Sequence, residues 1–154
     1  MKLHDKLLSS YVAYEEEFGL ERNIPELRDK AIKQFEAYGF PSKKLEAYKY
    51  TSFNALLNKD YNIIQKSSQD ISNTDIQKYL LDEIDTYKIV FVDGIYSARL
   101  SETTHSGMDV CLMSSALTKD KYRAVIDLYY NTITADDGLC NLNTAYAKEG
   151  AYIY

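Results

Sequence analysis

Apolar positions recur with helical spacing at the start of the chain. Leu3, Leu7, Tyr11, Tyr14 and Phe18 fall at intervals that place them on one stripe of a helix and predict a packed face. Gly19 follows as a residue able to adopt the left-handed conformation that ends a helix. A second helix is predicted from Asn23 as N-cap, with Pro25 just inside its start. Its apolar stripe is Leu27, Ala31, Phe35 and Tyr38, and Gly39 with Pro41 ends it. The first forty residues therefore read as a helical pair packed as a hairpin.

The pattern then weakens. Gly39-Phe40-Pro41-Ser42 is a turn, and Phe53 to Leu57 supplies one or two helical turns. A polar stretch near 66–74 reads as the boundary between a helical region, 1–65, and an α/β region, 75–154, and limited proteolysis is expected to cut there. A short helix is predicted from Asn73 as cap to Leu81. Beyond it the period changes. Tyr87 to Val92 and Ile95 to Leu100 are β-branched and aromatic, with Asp93-Gly94 between them, which predicts a hairpin over 87–100 closed by a type I′ turn. A third extended segment is expected over Asp109 to Met113. A helix follows from about Lys119 to Tyr130, with Tyr122, Val125, Ile126, Leu128 and Tyr129 as its apolar positions, and another over Leu139 to Lys148, broken by Gly150. The last four residues, Ala-Tyr-Ile-Tyr, read as a strand. An unpaired apolar edge invites aggregation, so that strand is expected either to pair into a sheet or to belong to the front part of a longer protein. The fold class is α+β.

Composition narrows the function classes. The 154 residues are 45% hydrophobic and 27% charged, enough to bury a core. Two cysteines exclude a disulfide-rich secreted scaffold and point to reduced thiols and the cytoplasm. The longest apolar run, Ile89 to Val92, is too short to cross a bilayer, and Met1 to Lys6 is no secretory signal. A net charge of −5 argues against a nucleic-acid partner. Lys43, Lys44 and Lys49 enclose Glu46 and read as a solvated face, as does the run Glu15-Glu16-Glu17. Asp136-Asp137 reads as a capping pair for the helix that follows.

Chemistry-bearing patterns are scarce. There is no Gly-rich phosphate loop, no dinucleotide fingerprint and no G-x-S-x-G elbow. Candidate metal ligands are Cys111, Cys140, His4 and His105, without a CxxC pair. Both cysteines read as buried small hydrophobes. One alternative is a small cytoplasmic thiol enzyme using Cys140, with His105 as base, or Cys111. Fifteen tyrosines suggest a core and interface composition, or alternatively a Tyr-rich binding module for sugars or bases.

Three phrases, in order, carry a resemblance. The first is Gly39-Phe40-Pro41 leading into Glu46-Ala47-Tyr48-Lys49-Tyr50-Thr51. The second is the strand–Asp93-Gly94–strand segment ending in Leu100-Ser101. The third is Leu142-Asn143-Thr144-Ala145-Tyr146 followed by Gly150. Together they resemble the SufB/SufD family of iron–sulfur cluster assembly proteins, its SufD side more than its SufB side. Tyr48 stands where that family often has Trp. The resemblance implies a helical N-terminal region leading into a right-handed parallel β-helix, here truncated as it begins. It implies a non-catalytic scaffold acting in a SufB–SufC–SufD complex, with SufB-like and SufC-like subunits as partners. It assigns the cluster or iron to the full complex and no cofactor, metal or catalytic residue to these 154 positions. The SufC-docking region and the cluster-handling residues of the family lie outside them.

Overall fold

A computed structural model describes residues 2–18, 25–63, 70–81, 84, 86–103, 107–130, 137–147 and 149–154. The architecture is α+β. Two long helices, α1 (Leu3–Phe18) and α2 (Pro25–Tyr38), are followed by a 3₁₀ turn at Glu46–Tyr48 and the short helices α3 (Asn54–Leu57) and α4 (Asn73–Ile76). The hairpin strands β1 (Phe91–Val92) and β2 (Ile95–Tyr96) come next, then β3 (Val110–Leu112), α5 (Met113–Leu117), α6 (Asp120–Tyr129), α7 (Gly138–Ala145) and β4 (Ala151–Ile153). The chain divides into two compact units. The first comprises residues 1–65 and 125–147, the second 66–124 and 148–154.

In the first unit the predicted stripes form the core. Leu7, Tyr11 and Tyr14 of α1 and Ala31 and Phe35 of α2 are buried, and Phe35 is completely so. The Phe18 side chain, the Gly19 stop and the Asn23 cap lie outside the described residues. Tyr38 departs from expectation: it is exposed, whereas Phe35 in the same turn takes the packed side of α2. The third layer is α7. Arg28 meets Ala145 near one end of the pair and Gly39 meets Gly138 at the other, so α2 and α7 run antiparallel. Small residues hold this seam close: Ala31 and Ala145 are buried in one cluster with Tyr11.

Tyrosine hydroxyls close the core's polar accounts. Tyr14 donates to the Tyr146 carbonyl at 2.6 Å, and Tyr146 donates to the Leu7 carbonyl at 2.5 Å. The Tyr146 ring lies against Tyr14 at 4.7 Å and Tyr11 at 5.8 Å. Burial raises both phenols from the ordinary 10 to about 12. Below pH 10 both states keep their protons and the full stability is present. Between about 10 and 12 the unfolded chain releases these protons while the folded chain holds them, so stability falls with rising pH. Alkaline denaturation followed by tyrosinate absorbance should show ionisation and unfolding together in that window. In Tyr14→Phe the alkaline limb should move upward; an unmoved limb would count against this role.

In the second unit, Asp93 and Gly94 adopt φ of 50° and 79°, the two positive values that a type I′ turn demands. The strands pair antiparallel, Phe91 with Tyr96 and Val92 with Ile95. β4 pairs antiparallel with β3, Ile153 opposite Val110 and Ala151 opposite Leu112. The third extended segment stops one residue early, because Met113 opens α5, a helix absent from the sequence expectation. Its residues Ala116 and Leu117 are buried. Around Asn73 the cap is Ser72 instead. Asp75 accepts from the Ser72 N–H at 2.8 Å and its hydroxyl at 2.5 Å, so α4 starts one residue earlier than expected and tightens into a 3₁₀ turn at Gln77–Tyr79.

On α6, Tyr122 and Ile126 are buried, whereas Val125, Leu128 and Tyr129 are exposed. Of these apolar positions, the two one turn apart at 122 and 126 are the buried ones. Helix α7 ends at Ala145, before the predicted Lys148, and Gly150 has no positive φ.

Candidate functional site

In the first unit the first sequence phrase meets the start of α7, the helix that carries most of the third. Gly39 closes α2 by donating its N–H to the Phe35 carbonyl at 2.8 Å, and it takes φ of 63°. That left-handed turn presents its carbonyl to Gly138 at the start of α7. A methyl group built on Gly138 would overlap the Gly39 oxygen and lie 2.9 Å from the carbonyl carbon. Pro41 is buried just beyond.

The chain then tightens through the 3₁₀ turn and delivers Tyr48 to Asp137. Asp137 uses both oxygens. Oδ1 accepts from the N–H groups of Leu139 (2.7 Å) and Cys140 (3.4 Å), capping α7 as its sequence position predicts, and Oδ2 accepts the Tyr48 hydroxyl. That hydrogen bond to a carboxylate, more than burial, pushes the Tyr48 phenol up to about 12. Tyr48 also rests against Phe53 with ring centres 5.7 Å apart. Asp136 lies outside the described residues.

The remaining residues of the first phrase face water. Glu46 and Lys49 form an exposed ion pair at 3.5 Å, worth a fraction of a kcal/mol at most by the general behaviour of such pairs. Lys49 lies over the ring of Tyr50, which is 92% exposed, and Thr51 is exposed. Lys43 and Lys44 are exposed, as read from their composition. From the third phrase, Ala145 is fully buried, Leu142 half-buried and Asn143 exposed.

The second phrase lies in the second unit. Leu100 is buried there. The Ser101 hydroxyl is a strut: it accepts from the Val90 N–H at 2.9 Å and donates to the Ser97 carbonyl at 2.8 Å. Lys88 and Glu102 extend the pairing with a backbone bond of 2.7 Å and an ion pair of 2.8 Å.

The thiols divide. Cys111 is half-buried in β3, while Cys140 is exposed, a correction to the buried reading. Burial of Gly138 and Ala145, two turns apart, sets the packed side of α7 and leaves Cys140 and Asn143 on the outer side. His105 lies outside the described residues, so its pairing with Cys140 does too. Among the described residues no group of three or more His, Cys, Asp or Glu side chains is gathered as a metal would require. No helix among them is long and apolar enough to cross a membrane.

Two participants escape sequence reasoning. Arg28 is 4% exposed on the packed face of α2; its Nε donates to the Ala145 carbonyl at 3.0 Å and its guanidinium lies over the Tyr14 ring. A cation at the last carbonyls of α7 also faces the negative end of that helix. Glu15, expected to be solvated, faces Arg28 at 2.7 Å. The N–H does not aim at the oxygen, so this contact is Coulombic rather than a hydrogen bond. Gly138 is the other: nothing beside it in the sequence announces that a distant carbonyl rests on it.

These features define a structural class. The hydroxyls of Tyr48, Ser101 and Tyr146 are spent on the α7 cap or on backbone carbonyls. The SufBD protein N-terminal region is the family model that matches, over residues 4–154, and the chain belongs to the SufB/SufD family. That places it with the SUF system of iron–sulfur cluster assembly. No curated protein matches the chain.

Proposed function

We propose that the protein is a non-catalytic scaffold component of SUF iron–sulfur cluster assembly, SufD-like rather than SufB-like. It acts in the cytoplasm within a SufB–SufC–SufD complex, as the helical and α/β region that leads into a right-handed parallel β-helix. The observation that carries this reading is the family match across residues 4–154. The geometry supports a scaffold role: Gly39, Tyr48, Leu100, Ser101 and Ala145 each close a turn, fix a cap or fill a core. The SufD assignment rests on the first phrase, where the Gly-Phe-Pro turn leads into Glu-Ala-Tyr-Lys-Tyr-Thr. Iron or the cluster is cargo of the whole complex, and this region holds neither.

Co-purification tests the reading. The tagged protein, expressed from its natural gene, should bring down SufB-like and SufC-like subunits. Its deletion should lower the activity of iron–sulfur enzymes. No association, together with normal cluster assembly in the deletion strain, would sink the proposal. Stoichiometric iron bound by the isolated chain would sink its claim about cargo.

A further inference from the structure

A cavity of about 840 Å³ opens in the first unit, between the start of α1 and the segment around α3. Its cations come from two distant stretches of chain: Lys2 and Lys6 from one, Lys59 from the other. Asn54 and Asn58 add amide groups, and Asp60 is the one carboxylate among the described lining residues. Phe40, Leu57 and Tyr61 form an apolar wall beside them.

The cationic side of the cavity lies at the start of α1. The start of a helix is the positive end of its dipole, where cations are disfavoured by a few tenths to about 1 kcal/mol each. Asp5 meets that preference in the first turn of α1, yet Lys2 and Lys6 on either side of it line the cavity and Asp5 does not, and Lys59 joins them there. Asp60 neutralises only one of the three. The Lys6 ammonium lies 2.8 Å from its Oδ1 and also donates to the Tyr61 carbonyl. That contact holds the Asp60 carboxyl below the usual carboxylate range. Lys2 and Lys59 are exposed and have no ion-pair partner among the described residues. Convergence of like charges on one concave surface, in a chain whose net charge is −5, is the arrangement an anion relieves.

We propose that this cavity binds a small organic phosphate, its phosphoryl group held by Lys2, Lys59 and the Asn54 and Asn58 amides and its apolar body against Phe40 and Tyr61. The aromatic wall separates this ligand from a bare inorganic ion. Asp60 opposes an anion, and the Lys6 ammonium 2.8 Å from it offsets that repulsion.

Calorimetric titration of the whole 154-residue chain at low salt, with phenyl phosphate as probe and phenol as its uncharged counterpart, tests the proposal. Phenyl phosphate should saturate one site and phenol none. The double variant Lys2→Gln/Lys59→Gln, built at exposed positions so that the fold is kept, should bind roughly tenfold more weakly. Asp60→Asn should bind about threefold more tightly, an effect in the direction that structural damage cannot produce. Circular dichroism checks that each variant is folded. Absence of saturation up to about 10 mM would overturn the proposal. So would equal binding of phenol, or a double variant that binds like the parent.

Discussion

Replacing Gly138 with alanine is expected to destabilise the first unit by about 3 kcal/mol or more. The new methyl would overlap the carbonyl oxygen of Gly39, and the obstacle is backbone rather than the end of a flexible side chain. Gly39 cannot withdraw easily. Its N–H closes α2 and its left-handed φ sets the direction of the chain into buried Pro41. Relief has to come from α7 moving off α2, which opens the Ala31–Ala145 seam and strips the Tyr48–Asp137 cap contact. A thermal midpoint lower by roughly 6–12 °C is the expected reading. Gly150→Ala is the control: its methyl would stand 3.8 Å from the Met113 Cβ, an ordinary contact, and little change should follow. If the two variants melt alike, the close approach of the two glycines is not what holds α7.

The second expected result concerns the buried charge. Glu15→Ala should cost about 3 kcal/mol, and Arg28→Met less, about 1–2 kcal/mol. The asymmetry follows from exposure. The Arg28 side chain is 5% exposed and, without Glu15, leaves a buried cation supported by one carbonyl and one ring. Glu15 is 31% exposed and can turn to water when Arg28 is gone. The double variant Glu15→Ala/Arg28→Met should therefore be more stable than Glu15→Ala alone, because no unpaired charge remains inside. A double-mutant cycle in urea measures this. Additive losses would mean that the two charges do not interact, whatever their 2.7 Å separation.

Legibility in the sequence tracked how local each cause was. The hairpin was readable because Asp93-Gly94 carries its own conformational requirement, and the φ values are those the turn needs. Helices α1 and α2 were readable from their stripes. Helix α5 was not, since five residues hold too little periodicity and Val110 to Met113 look uniformly extended. The exposed Leu128 and Tyr129 depart for the opposite reason: an apolar residue on a helix need not be buried. Of the motif residues, Gly39, Pro41 and Ala145 do close the core, but what they close against is supplied elsewhere. Gly138, Arg28 and Glu15 derive their roles from contacts across the fold, so no spacing near them could have disclosed it.

The division of the first unit into residues 1–65 and 125–147 sets an order on its completion. A ribosome delivers α1 and α2 long before α7. Tyr14 waits for a carbonyl 132 positions later, and the Leu7 carbonyl for a hydroxyl 139 positions later. At ordinary synthesis rates that is an interval of roughly 7 to 28 s. During it Tyr11, Tyr14, Ala31 and Phe35 have no third layer to cover them, and the α7 side of the seam is open to any passing apolar surface. The first unit is thus finished only when residues 125–147 have been made. Folding intermediates stalled before Gly138 would be the species that chaperones meet.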